Sequence, residues 1–452
     1  MERKSLDAHG SIPLGRLGTL GTRTDNSQRP ENNSDRRPLR HHSGDSNNYL
    51  MPSHRHQSSL EAILDFWEPF SLTPQQASLA RRLLDILVED YGLEREIEKR
   101  YKPAKLIYTM LELVLSKDSF LTLFFTFLHE HLTSGPSNIT LALSYFEDIG
   151  TWEPAARNDV ASALEEFAHY MITQFFLPLR ASSVKTPQPT PTSSLSTIQA
   201  STPTSTKRRI SALRHDCLVR DHHRCVVTRK FDITEARKRI AIDKNCTDDD
   251  GRPLKTEQRG NFQYLEIAHI LPHCLTKVAS GDEDLVGIIP ATSSISLTGH
   301  ETESKKNILR ILDIFDPGIT HFIDGANIDS PSNALTLTLD NHRLLGEFKI
   351  YFEPTGGAYE YRIHSTDDDF LSDPFFPVTR TLMLSPNRTI DPPSPRLLGI
   401  HRAICLILKL SGAAEYIEHV LRDLELVTVE ADGSTHVGDI IRLRIDGWIS
   451  AF

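Results

Sequence analysis

The sequence has few cysteines and no closely spaced pair of them. Five cysteines are scattered over 452 residues, and none of them belongs to a CxxC motif. An odd and dispersed set is typical of reduced thiols in an intracellular protein rather than of a disulfide framework. The missing CxxC motif also excludes a zinc knuckle built from four cysteines.

Long apolar runs are missing as well. The first residues, MERKSLDAHGSIPLG, lack the apolar stretch of a secretory signal. The most apolar later run, Phe120 to Leu128, is too short to cross a bilayer. We therefore expect an intracellular protein, in the nucleus or the cytoplasm, that is not secreted and has no membrane partner.

The sequence has no excess of positive charge, since its formal net charge at pH 7 is −10. This balance excludes a protein that coats nucleic acid through its net charge. Any contact with a polyanion must therefore be local.

Composition divides the chain into five segments. At 452 residues it is long enough for more than one folded unit. We predict a disordered arm at 1–57, a small all-helical domain at 58–180, a Ser/Thr/Pro linker at 181–206, an α+β domain at 207–425 and a C-terminal extension at 426–452. An alternative for 58–180 is an accessory layer of helices that packs on the later domain.

Hydrophobic periodicity predicts the main elements. Thr73-Pro74 is a plausible helix start, and apolar residues recur at helical spacing after it. Further helices are predicted for 104–115, 119–132, 137–146, 153–177, 211–221, 305–315 and 395–424. Strands are predicted for 264–271, 334–339, 348–352 and 359–364.

Three short segments carry the chemistry: LEIAHILP at 265–272, SPSNALTL at 330–337 and DNHRLLG at 340–346. They resemble the HNH endonuclease family, most closely its fungal members, which have a segment similar to RCVVT at 224–228. The resemblance covers roughly the C-terminal half of the chain. It implies a ββα-metal fold with a helical insertion at about 275–329.

The resemblance also implies roles for three residues. His269 would be the general base, Asn333 would orient that base through amide hydrogen bonds, and His342 would bind one divalent ion, Mg²⁺, Mn²⁺ or Zn²⁺. The implied partner is nucleic acid, with DNA as the expected kind. The implied reaction is hydrolysis of phosphodiester bonds.

Two positions depart from the family pattern. Many HNH enzymes have a metal ligand directly before the base and another four residues after the last histidine, where this chain has Ala268 and Gly346. Glu266 or Glu347 could substitute as the ligand. His273 follows His269 by four residues, but the intervening proline argues against a helical metal pair, so we interpret His273 as a loop residue without a metal role.

A basic segment precedes these motifs. Residues 207–239 contain eleven basic and four acidic residues, a local charge of +7. We predict nucleic-acid contacts here, with Arg220, Arg224, Arg229 and Lys230 as candidates. A solvated helix face explains the same charge equally well.

The sequence thus favours a metal-dependent HNH-type endonuclease. One alternative is a catalytically inactive HNH fold that binds nucleic acid or protein. A second is a regulatory scaffold whose activity lies in the helical half.

Overall fold

The computed structural model describes residues 71–98, 101–183, 204–278, 297–367 and 374–426, together with 443 and 448. The predicted arm at 1–57 lies outside these residues, as do most of the predicted linker and most of the C-terminal extension. Every described residue belongs to one compact unit, Met51–Phe452.

The first half of the described chain is helical. Its helices are α1 (Pro74–Tyr91), α2 (Pro103–Leu113), α3 (Lys117–Thr133), α4 (Ile139–Phe146), α5 (Pro154–Met171) and α6 (Leu177–Ser183), with a π-helical segment, Ile172–Phe176, between the last two. The predicted start of α1 is confirmed. Thr73 caps the helix by accepting from the backbone N–H of Gln76, while the Gln76 side chain accepts from the backbone N–H of Thr73.

The second half mixes short strands and helices, as predicted for an α+β fold. Its elements are α7 (Thr204–Arg220), β1 (Phe231–Asp232), α8 (Ile233–Ile242), β2 (Phe262–Gln263), β3 (Leu265–His269), α9 (Leu297–Phe315), α10 (Ile319–Phe322), β4 (Ala334–Thr338), α11 (Leu339–Gly346), β5 (Ile350–Pro354), β6 (Glu360–Ser365), β7 (Val378–Thr381), α12 (Pro395–Ser411) and α13 (Ala413–Leu426). Within the described residues, three small sheets form: β1 pairs with β2 in parallel, β3 pairs with β4 antiparallel, and β5, β6 and β7 make an antiparallel meander.

The two halves share one hydrophobic core. The ring of Phe175, in the π-helical segment, stacks on Phe315 at the end of α9, with ring centroids 5.4 Å apart. Helix α12 packs against both α2 and β5. The helices of the first half therefore pack directly against helices and strands of the second half.

One long predicted helix is in fact two. The segment predicted as 395–424 breaks at Gly412, whose φ of 74° lies in the left-handed region that favours glycine. Among the described helices, none alone is long and apolar enough to cross a membrane. The pair α12 and α13 meets that test only jointly, with a bend of 91°.

Candidate functional site

Two antiparallel strands carry the candidate site. Strand β3 pairs with β4, with Glu266 opposite Leu337 and His269 opposite Ala334. Because side chains alternate along a strand, Glu266 and His269 lie on opposite faces of β3. Helix α11 contacts the Glu266 face, while α7 packs on Ile267, which shares the face of His269. Each face has its own polar group of residues.

On the α11 face, Glu266 meets His342. The Nδ1 atom of His342 lies 2.7 Å from Oε2 of Glu266, although 76 residues separate them in the chain. The side chains of His342 and Glu266 are 10% and 28% exposed, respectively. The two residues predicted as metal ligands therefore lie together at a position that solvent reaches. We call them the Glu266–His342 pair.

On the α7 face, three side chains meet at one carboxylate oxygen. Oδ1 of Asp329 lies 3.1 Å from Nε2 of His269 and 2.7 Å from Nδ1 of His273. The other oxygen, Oδ2, accepts from Nε of Arg209 at 3.1 Å. The candidate ligand atoms of His269, His273 and Asp329 all lie within 4.8 Å of one another, so this His–His–Asp cluster could hold a metal ion.

Burial and hydrogen bonding set the charges in the cluster. Burial lowers the pKa of His269, and the hydrogen bond to Asp329 opposes that shift. Burial alone would raise the pKa of Asp329, but the hydrogen bonds from His269 and His273 outweigh it and hold that pKa well below its ordinary value. At neutral pH a neutral imidazole therefore lies beside an ionised carboxylate.

The charged carboxylate fixes where the proton of His269 sits. An ionised carboxylate can only accept, so Nε2 of His269 carries the hydrogen and Nδ1 has a lone pair. Nδ1 is buried, and within the described part of the chain nothing donates a hydrogen bond to it. A positive charge on His273 or on His342 would lower the pKa of His269 further, so both imidazoles are within electrostatic reach of His269.

Asn333 ties together the backbone around His269. Its carboxamide oxygen accepts from the backbone N–H of Leu271 at 2.9 Å, and its amide donates to the carbonyls of Leu271 and Ile328 at 3.1 and 3.0 Å. The side chain is fully buried. These bonds join the loop after β3 to the segment that contains Asp329.

A family comparison covers the segment that carries this site. Residues 225–353 match the family model of the HNH endonucleases. We call this segment the HNH region; it contains His269, Asn333 and His342 and implies a nuclease-type function and binding of nucleic acid. Neither the curated proteins nor the solved structures gave a match to the chain.

Sequence reasoning about the HNH region missed Asp329 and did not connect His273 with it. A proline does separate His273 from His269, and no helix joins them. A short 3₁₀ helix that begins at His273 nevertheless brings its ring to Asp329, with the two histidine centroids 5.6 Å apart. The proline excludes a helical metal pair, but it does not exclude this loop geometry. The one available signal for Asp329 was its position four residues before Asn333.

The structure distinguishes the two carboxylates offered as substitutes in the HNH region. Glu266 contacts His342, whereas Glu347 forms ion pairs with Arg343 and, at longer distances, with Arg180 and Lys349. Burial would raise the pKa of Glu347, but the hydrogen bond from Arg343 and the other cations lower it overall. Glu347 therefore belongs to a network of ion pairs rather than to the group around His342. Ala268 is fully buried in the hydrophobic core.

Much of the basic segment is paired inside the fold. Arg220 has no exposed surface, and it donates to Asp221 and to the carbonyls of Pro331 and Ala334. Arg224 is also buried, in ion pairs with Asp248 and Glu257. The nucleic-acid contacts predicted for Arg220 and Arg224 do not fit these positions, because a buried guanidinium with such partners cannot face a phosphate backbone.

The other two predicted basic residues are partly exposed. Arg229 donates to the carbonyl of Thr381, and Lys230 follows it directly in the chain. Burial lowers the pKa of Arg229, and the nearby charge of Arg380 lowers it further. A contact between nucleic acid and Arg229 or Lys230 stays a prediction.

The HNH family generally binds a divalent metal ion, and the described residues include two donor sets for a cation. The Glu266–His342 pair supplies one carboxylate oxygen and one imidazole nitrogen, which leaves most coordination positions to water and substrate. That set suits Mg²⁺ or Mn²⁺. The His–His–Asp cluster supplies two imidazoles and a carboxylate, which suits Zn²⁺.

Proposed function

We propose that the HNH region is a metal-dependent endonuclease that hydrolyses phosphodiester bonds of nucleic acid, with DNA as the expected substrate. The observation that carries the proposal is the buried lone pair on Nδ1 of His269. Asp329 holds the same ring through Nε2, within electrostatic reach of His342. The strands β3 and β4 with helix α11 would then be the ββα-metal unit.

His269 acts as the general base. Its Nδ1 atom takes a proton from a water molecule, whose oxygen forms the new bond to phosphorus while the bond to the departing sugar oxygen breaks. Asp329 keeps the hydrogen on Nε2 and stabilises the imidazolium that forms. Asn333 fixes the loop that follows His269, and it thereby orients the imidazole ring of His269.

Glu266 and His342 hold the cation. A divalent ion bound to this pair would neutralise the charge that develops on the departing oxygen. Glu266 replaces the metal ligand that many HNH enzymes have at the position of Ala268. Because Glu266 lies two residues before Ala268 on the same face of β3, its longer side chain can reach the same helix, α11.

A plasmid-nicking assay with Mg²⁺, Mn²⁺ and Zn²⁺ tests the proposal. Wild-type protein is expected to nick plasmid with Mg²⁺ or Mn²⁺, and His269→Ala is expected to lose about 10²- to 10⁴-fold in rate because it lacks the base. His215→Ala is the matched control, since His215 is exposed on α7; it should cleave as the wild type does.

Two results would contradict the proposal. Wild-type protein that nicks with none of the three ions would favour the inactive binding fold. A His269→Ala variant that cleaves at the wild-type rate would show that the base lies elsewhere.

A further inference from the structure

We infer that the His–His–Asp cluster is a second cation site, separate from the Glu266–His342 pair, that takes a transition-metal ion such as Zn²⁺ and switches hydrolysis off when occupied. The binding half of this inference stands on the cluster geometry alone. The inhibitory half rests on the proposed nuclease function, because it requires His269 to be the base.

The cluster needs little movement to accept zinc. Zinc bonds to nitrogen and oxygen are about 2.0–2.1 Å long, which places neighbouring donor atoms of a tetrahedral site about 3.3 Å apart. Nε2 of His269 is already 3.1 Å from Oδ1 of Asp329, and Nδ1 of His273 is 2.7 Å from it. Separating His273 from Asp329 by about half an ångström brings this pair to the tetrahedral spacing, and all three donor atoms already lie within 4.8 Å of one another.

The surroundings of the cluster also suit a bound ion. The side chains of His269 and Asp329 are 2% and 1% exposed, so both ligands are held by packing, whereas His273 is 16% exposed and gives the ion a route from solvent. Three protein ligands leave one position open for water.

Arg209 opposes the ion through its charge. The guanidinium lies on the same carboxylate that would bind the cation, and a positive charge at that distance weakens binding. Its side chain is 39% exposed and can therefore turn toward solvent when the ion enters. Removing this charge should tighten binding of zinc.

Occupation of the cluster and general-base catalysis exclude each other. Without an ion, His269 carries its hydrogen on Nε2 and offers the lone pair on Nδ1. When a metal ion takes the Nε2 lone pair, the neutral ring must carry its hydrogen on Nδ1 instead. The ring keeps one proton, but Nδ1 of His269 can no longer accept a proton from water.

Calorimetric titration of full-length protein with ZnCl₂ tests the binding half. His273→Asn removes one cluster ligand but leaves His269 and the Glu266–His342 pair intact, so its affinity for zinc should fall at least about 10-fold. Arg209→Met should bind zinc more tightly than the wild type. His215→Asn, an exposed substitution on α7, should bind zinc as the wild type does. Thermal unfolding of each variant confirms that it is folded.

Inhibition is tested by adding zinc to the Mn²⁺-supported nicking reaction. Zinc should stop cleavage by the wild type, while cleavage by His273→Asn, measured relative to its own rate without zinc, should resist zinc. Equal zinc affinity of wild type and His273→Asn would overturn the site. Loss of Mn²⁺-supported cleavage in folded His273→Asn would overturn the regulatory role, since the cluster would then serve catalysis itself. If the wild type cleaves nothing, the proposed function fails, while the calorimetry still decides the cation site.

Discussion

The two faces of β3 carry histidines in opposite environments. On the α11 face, His342 and Glu266 form a pair that has solvent access and supplies two protein donors. On the α7 face, His269 and Asp329 are almost completely buried, and a third donor, His273, closes the group. An exposed pair suits a cation that exchanges water for a phosphate oxygen, whereas burial fixes the proton of a base.

This contrast teaches that imidazoles near each other in one family motif need not have the same chemical role. The surroundings decide the role of each ring. Asp329 acts on His269 through a hydrogen bond that sets its tautomer, and Glu266 adds a hard oxygen donor next to His342. Substitutions on each face test whether this division holds.

Replacing Asp329 should produce the largest effect on the α7 face. Asp329→Asn can offer its amide N–H to Nε2 of His269, which would favour a hydrogen on Nδ1 and remove the base. We expect Mn²⁺-supported nicking to fall by at least about 100-fold, as wrong-tautomer variants of histidine bases do. Arg209→Met is the control, because it removes the Arg209–Asp329 ion pair but keeps the carboxylate. An equal loss of rate in Arg209→Met would contradict the tautomer argument.

Replacing Asn333 should affect the framework of the α7 face. Asn333→Ala leaves the backbone N–H of Leu271 and the carbonyls of Leu271 and Ile328 without their partner. Because each buried unsatisfied group costs about 1–3 kcal/mol, we expect the free energy of unfolding to fall by roughly 3 kcal/mol. Urea denaturation measures this change. Asn245→Ala is a surface control, since Asn245 is exposed, and a similar loss in both variants would contradict the structural role of Asn333.

The sequence predicted much that depends on local patterns. The capping residues before α1 and the strand that bears His269 follow from neighbouring residues, and the structure reproduces both. The break at Gly412 was missed, although a glycine inside a helical pattern is a possible helix end. The pattern could not distinguish a glycine that ends a helix from one that a helix tolerates.

Contacts between distant segments were harder to predict. The charge count of the basic segment covered only 207–239, while partners of Arg224 and Arg239 lie at Asp248, Asp249 and Glu257. Asp329 meets His269 across 60 residues for the same kind of reason. A window of sequence counts charges, but the fold decides which of them neutralise each other inside the protein.

The most direct test of the account is a calorimetric titration with MnCl₂ of wild type, Glu266→Gln and His273→Asn. Replacing the carboxylate removes a charged oxygen donor from the Glu266–His342 pair, so Glu266→Gln should weaken manganese binding by about 10-fold or more. His273→Asn should bind manganese as the wild type does. Unchanged affinity in Glu266→Gln, with a loss in His273→Asn, would contradict the assignment of the two faces.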